Sequence, residues 1–270
     1  MTSQKEYFDD AARRYRSNAI LVPGASRFRN IVLGKAMTKG LSPILKGFQG
    51  LNILEVGCGV GRWVEVVTEK NSVVGVDISR VMIGLAKNAC RGKRSSFVVA
   101  DVSFLPFREN AFDVVISITV LQHLLYERQL LRAISEIARC SKSQALVAEE
   151  MWSNKEILLQ ETYCPIRILP LKAYIRRLFA AGLHPVLFQG ITPAILVVQL
   201  TSFLASKPKL VESYLTIRFK SSRLISEITH FIMGVGTLSS FFPPVGDCNP
   251  CFSLHTLLIA KKEKEKTCAH

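Results

Sequence analysis

Apolar residues along the chain fall into two rhythms. Near-continuous apolar runs at 51–56, 72–76, 97–100, 112–117, 144–148 and 183–188 predict short strands buried on both faces. Between them lie stretches with helix composition or helical spacing, at 60–70, 79–90, 126–140 and about 171–181. In 126–140 the stripe is Leu130, Leu131, Ile134, Ile137 and Ala138. Strand and helix alternate, which predicts an α/β chain wound around a mostly parallel sheet. Two helices precede the first strand. The first, over 3–18, has Ser3 as its N-cap, acids early (Glu6, Asp9, Asp10) and arginines late (Arg13, Arg14, Arg16), the order that a helix dipole favours. Tyr7, Phe8, Ala11 and Tyr15 share one of its faces. The second covers 27–48 together with a loop.

The junction after the first strand carries the chemistry. Gly57, Gly59 and Gly61 can adopt backbone angles closed to other residues and let a ligand lie against main chain, and the helix that follows turns free N–H groups toward it. The spacing is GxGxG, with Glu55 two residues before the first glycine. The second strand ends in Asp77, placed to accept both hydroxyls of a ribose. To this point a nicotinamide dinucleotide and S-adenosylmethionine both remain open.

Downstream, a third strand closes on Asp101, followed by FLPF at 104–107 and FDVVIS at 112–117. The ordered blocks LEVGCGVGRW, VVGVDISRVMIGLAK, VVADVSFLPF and FDVVISITVLQH resemble the class I S-adenosylmethionine-dependent methyltransferases. The branch they are most similar to includes the quinone C-methyltransferases and many small-molecule methyltransferases. The resemblance implies a doubly wound Rossmann-like sheet of seven strands, the last antiparallel, and S-adenosylmethionine as cofactor. It assigns to cofactor binding Glu55, Gly57, Cys58, Gly59, Gly61, Asp77, Ile78, Met82, Asp101, Val102 and Ser117, with Tyr15 from the amino-terminal helix. In that scheme Asp101 and the Val102 main chain read the adenine edge, Met82 packs on the ring, and Glu55 serves the ammonium of the methionine end. His123, in the loop after the fourth strand, is the candidate general base, with a structural histidine as the alternative. The loop lacks the Asp/Asn-Pro-Pro-aromatic motif of enzymes that methylate base amines. No metal is implied there, because Ser117 and Thr119 are poor ligands.

Charge alters the picture of the partner. The 270 residues carry 35 Lys and Arg against 21 Asp and Glu, a formal +14. Residues 1–50 hold nine basic against three acidic side chains and residues 155–224 ten against three, whereas 51–150 hold twelve against eleven. The excess therefore lies on the flanks of a near-neutral core, where it bears on an acceptor or surface. Seven scattered cysteines and no secretory leader point to a reducing cytoplasm.

The seventh strand is expected only at 253–260, which leaves 191–252 as an insertion. It contains sixteen uncharged residues (191–206), short for a membrane span, and an amphipathic run at 210–233. A helical lid and an interfacial surface for a lipid-like acceptor both fit. Cys248, Cys251 and His255 offer three zinc-type ligands without a fourth, so a turn is the simpler reading. The expected division is a helical cap (1–48), a cofactor-binding core (49–190), a lid (191–252), then the last strand and a solvated tail (253–270). The expected function is methyl transfer to a small-molecule or lipid-like acceptor, in the cytoplasm or peripherally at an anionic membrane surface. The alternative is an RNA methyltransferase or RNA-binding protein that uses the basic flanks.

Overall fold

The computed structural model describes residues 4–15, 27–150, 155–159, 165–190 and 255–262. Two helices come first, α1 (Gln4–Tyr15) and α2 (Arg27–Lys46). The alternating part runs β1 (Asn52–Val56), α3 (Arg62–Val67), β2 (Ser72–Asp77), α4 (Arg80–Ala89), β3 (Ser95–Val99), β4 (Phe112–Ile118), α5 (Glu127–Cys140) and β5 (Ser141–Glu150). A single 3-10 turn, Leu121–His123, links β4 to α5. Then follow β6 (Ile157–Leu159), β7 (Ile166–Ile168), α6 (Leu171–Ala180), β8 (Leu183–Gly190) and β9 (His255–Lys262).

Seven strands form one sheet in the order β3-β2-β1-β4-β5-β9-β8. The first five pair in parallel, and β9 lies antiparallel between β5 and β8. The expected architecture, with its antiparallel last strand, is therefore present. Strand order reverses between β1 and β4, which opens a crevice at their carboxyl ends. Side chains alternate across the sheet: Leu54, Val56 and Val115 join the core beneath α5 and α6, while Ile53, Val114 and Ile116 join the core under α2 and α3. This two-sided burial is why the strands read as continuous apolar runs.

One difference from the sequence expectation and one irregularity of the sheet have local causes. The segment after β5, expected as a polar loop, contains a two-stranded antiparallel hairpin of β6 and β7. Three-residue strands are too short to show a period. In β8, Pro185 lacks a donor, and the register with β9 shifts between Pro185 and Leu187, as edge strands tolerate. The insertion features at 191–206 and 210–233, and the pair Cys248 and Cys251, lie outside the described residues. No helix among the described residues is long and apolar enough to cross a membrane.

Candidate active site

The carboxyl ends of β1, β2, β3 and β4 surround a cavity of about 170 Å³, roofed on one side by α1. That is far more room than a single water needs. Its floor is the glycine turn. Gly57, Gly59 and Gly61 all have positive φ (64°, 53° and 85°). A Cβ on Gly57 would stand 2.3 Å from the Val120 side chain, whereas one on Gly59 would meet nothing within 4 Å. The turn is thus packed from behind at its first glycine and open at its second. Gly61 is the N-cap of α3 and lies behind the lining; its N–H donates to the Cys58 carbonyl at 2.9 Å. The Cys58 N–H in turn donates to the Val76 carbonyl, tying the loop to β2.

Two carboxylates mark one end of the cavity. Glu55 is almost fully buried, and its Oε2 has no hydrogen-bond partner. Burial holds its carboxyl well above the usual range, the negative charge of Asp77 adds to this, and the Val64 N–H opposes it. Asp77 accepts from the Gly59 N–H through Oδ2 and from the Ser79 N–H through Oδ1, both at 2.9 Å. Burial raises its pKa, those two N–H bonds work the other way, and the nearby Asp9 charge raises it further. A carboxylate has about four acceptor positions, so Asp77 keeps capacity for a ligand's hydroxyls.

Ser79 caps α4 as its sequence position suggests, accepting from the Met82 N–H at 3.0 Å. Its hydroxyl donates to Asp9 of α1 at 2.5 Å, which fastens the roof to the site. Met82 lines the cavity and packs with Ala12 and Val60. Across the cavity Asp101 folds the next loop by accepting from the Ser103 N–H at 2.8 Å. That loop is anchored to α5: Leu105 N–H donates to Glu136, and Arg139 donates to the Leu105 and Phe107 carbonyls.

At the other end Phe8, Ile118, Val120 and Leu124 supply apolar lining beside the polar Gln4 and Thr119. His123 stands there, edge-on to the Phe8 ring at 5.2 Å, and its carbonyl accepts from the Gln4 amide. Burial lowers its imidazole to about 4, a carbonyl bond at Pro165 offsetting this in part. A general base for work at pH 7 needs a pKa near neutrality, whereas this imidazole stays uncharged throughout the physiological range. The buried Cys58 thiol is likewise pushed up, away from thiolate chemistry, by burial first and by Glu55 next.

The structure brings Glu55, Gly57, Cys58, Gly59, Asp77, Ile78, Met82, Asp101, Val102 and His123 to the one cavity. Ser117 is fully buried behind it, its hydroxyl 3.5 Å from Glu149. The side chain of Tyr15 lies outside the described residues. Gln4, Phe8, Arg62, Trp63 and Gln129 also line the cavity and were not picked out as site residues. For Gln4 and Phe8 the i, i+4 spacing on the face of Tyr15 was the available clue; for Gln129, on the helix after β4, there was none.

A family model described as a methyltransferase domain matches residues 53–144, the stretch that builds this cavity. Residues 53–144 are a methyltransferase domain. It has the class I, S-adenosylmethionine-dependent architecture. The chain is 35% identical over 107 residues to a tRNA (carboxymethyluridine(34)-5-O)-methyltransferase of Arabidopsis thaliana, covering 40% of this chain and 25% of that protein. It is 31% identical over 162 residues to an uncharacterized protein of Methanocaldococcus jannaschii, covering 57% and 56%. The chain therefore spans only part of these curated relatives. Among solved structures, the 1,6-didemethyltoxoflavin-N1-methyltransferase of Burkholderia thailandensis is similar with a TM-score of 0.58 and 17% identity, over 97% of this chain and 91% of that one. That likeness concerns the fold.

The cofactor of such a domain is S-adenosylmethionine, and the residues present fit it. An orphaned, buried carboxylate oxygen on Glu55 suits an ammonium, and the spare acceptor positions of Asp77 suit a ribose. Gly59 leaves open space where a side chain would intrude.

Proposed function

We propose that this chain transfers a methyl group from S-adenosylmethionine to a small, apolar or lipid-like acceptor. The observation that carries the reading is the polarity of the cavity: carboxylates at the β1–β3 end, and Phe8, Ile118, Val120, Leu124 and an uncharged imidazole at the β4 end. When bound, S-adenosylmethionine supplies a methyl group already activated on a positively charged sulfur. Asp77 accepts from the ribose hydroxyls, Asp101 and the Val102 main chain hold the adenine edge, Met82 packs on the ring, and Glu55 faces the ammonium. The apolar end excludes water and holds the acceptor atom on the transfer axis, the main requirement for an in-line displacement. His123 acts there as a neutral wall that orients α1 through Phe8 and Gln4, because an imidazole with a pKa near 4 is a weak base at pH 7. The basic flanks favour an anionic acceptor or surface.

A second reading, RNA as acceptor, is favoured by the tRNA methyltransferases among the relatives. One experiment separates the two. The protein is incubated with methyl-labelled S-adenosylmethionine and with lipid, small-metabolite and RNA fractions of the source cells. Label in the lipid or metabolite fraction supports the first reading; label confined to RNA replaces it with the second. Absence of S-adenosylmethionine binding by calorimetry would overturn both.

A further inference from the structure

Glu149, near the end of β5, is fully buried and takes no part in the cofactor contacts proposed above. Its carboxylate receives the backbone of the loop after β4. Oε1 accepts from the N–H groups of Val120 and Leu121, both at 3.0 Å, and Oε2 from that of Gln122 at 3.3 Å. The Ser117 hydroxyl lies 3.5 Å from Oε1. Three consecutive amides thus converge on one side chain contributed by the neighbouring strand.

The loop held in this way is strained and faces the cavity. Thr119 has φ 56°, a left-handed conformation that a β-branched residue rarely adopts, and it persists only where its surroundings over-determine it. Its N–H donates to the Ala148 carbonyl at 2.7 Å, so the β5 main chain holds the strained residue and the side chain of the next β5 residue, Glu149, holds the three that follow. Val120 lies directly over Gly57, within 2.3 Å of where a Cβ would stand. His123, at the end of the same turn, carries the contacts to Phe8 and Gln4 of α1.

We infer that Glu149 is a positioning residue: it fixes the 118–123 loop against the glycine turn, and so sets the width of the cavity at the end where the acceptor is to meet the methyl group. The inference rests on the function proposed above for what the cavity holds, but the clamp itself is a property of the chain alone. Without it, the left-handed turn at Thr119 relaxes, Val120 lifts from Gly57, and the wall formed by Val120 and His123 is no longer held.

Residue-resolved amide hydrogen exchange on the intact protein tests the clamp, with calorimetric binding of S-adenosylhomocysteine as the second readout. Glu149→Gln keeps one carbonyl oxygen and turns an NH2 toward the third amide. It is expected to retain protection at Val120 and Leu121 and to lose at least tenfold at Gln122. Glu149→Leu is expected to lose at least tenfold at all three and to bind S-adenosylhomocysteine at least tenfold more weakly, with exchange at Ala145 and Leu146 of β5 unchanged. Thr119→Gly removes the strain, and in the Glu149→Leu background it is expected to recover affinity. A uniform loss of protection across β5 in both variants would reduce Glu149 to a general stabiliser and overturn the inference. So would unchanged exchange at 120–122, or unchanged affinity in Glu149→Leu despite exposed amides. Failure of the unsubstituted protein to bind S-adenosylhomocysteine would instead remove the proposed function, while the exchange pattern would still decide the clamp.

Discussion

The first two glycines of the turn have opposite surroundings, so the same substitution should do different things at each. In Gly57→Ala the new methyl stands 2.3 Å from one Val120 methyl carbon and 3.0 Å from the other, at φ 64°. The left-handed backbone costs an alanine about 1–2 kcal/mol, and forcing a methyl into a packed contact costs about 1–3 kcal/mol. The sum, about 2–5 kcal/mol, corresponds to a melting temperature lowered by roughly 5–15 °C for a domain of this size. Gly59→Ala meets no protein atom within 4 Å, so only the backbone cost of about 1–2 kcal/mol remains. Its methyl points into open space beside the Asp77 carboxylate that its own N–H contacts. Calorimetric unfolding without ligand and titration with S-adenosylhomocysteine then separate the two. Gly57→Ala is expected to lose mainly stability; Gly59→Ala is expected to melt within a few degrees of the parent and to bind at least tenfold more weakly. Full affinity in Gly59→Ala would refute the placement of the ligand on the turn, and an unchanged melting temperature in Gly57→Ala would refute the packing of Val120 upon it.

Three further outcomes are expected. Asp77→Ala should weaken S-adenosylmethionine binding by about 1.5–3 kcal/mol, the range for hydrogen bonds to a charged group, or about 10- to 150-fold in Kd by calorimetry; unchanged affinity rejects the ribose assignment. Because the folded pKa of His123, about 4, lies below its unfolded value of 6.5, the unfolded chain binds more protons between those values, so stability is full above pH 6.5 and falls as pH drops toward 4. In urea unfolding the parent should carry this slope, at most about 1.4 kcal/mol per pH unit, relative to His123→Gln, because the raised carboxyls of Glu55 and Asp77 slope the other way in both proteins; an equal slope in both places the titration elsewhere. The intact protein should float with anionic and not with neutral vesicles at low salt, each basic residue near the surface adding about 1 kcal/mol; failure to float leaves a lipid-like acceptor to be taken from solution.

Much of the frame was legible because it follows from local patterns. Two-sided burial wrote β1, β2 and β4 as apolar runs, and the acids closing β2 and β3 stood at the strand ends where an open parallel sheet exposes them. Ser79 could be read as a cap because capping is set by neighbours three residues away. Long-range effects were not legible. Glu149 and Glu150 look alike at a strand end, and only the pairing of β4 with β5 brings three loop amides to Glu149. Nor was it legible that the His123 imidazole would be a weak base, since its burial depends on α1, more than a hundred residues away. The hairpin of β6 and β7 was missed because three residues hold fewer than two repeats of the alternation that marks a strand.

Glu55 gives the strongest test of what the cavity is for. A carboxyl this deeply buried, with Oε2 unpaired and Asp77 raising its pKa further, holds its proton more firmly than an ordinary glutamate. Either an ammonium or a neutral group can be brought to such an oxygen, and the two have opposite proton balances. An ammonium favours the ionised form, so its arrival lowers the pKa of Glu55 and expels a proton; a neutral hydroxyl leaves the proton in place. Binding of S-adenosylmethionine should therefore release protons, up to about one per site, across the pH range in which the free carboxyl is still protonated. Titrations at successive pH values from the ordinary carboxyl value of 4.5 upward, in two buffers of different ionisation enthalpy, measure that number directly. Glu55→Gln keeps the shape but has no proton to give, so its binding should release fewer protons than the parent's, by the share that Glu55 supplies. Equal proton release by Glu55→Gln and the parent, or none by the parent anywhere in that range, would mean that the methionine ammonium does not sit against Glu55.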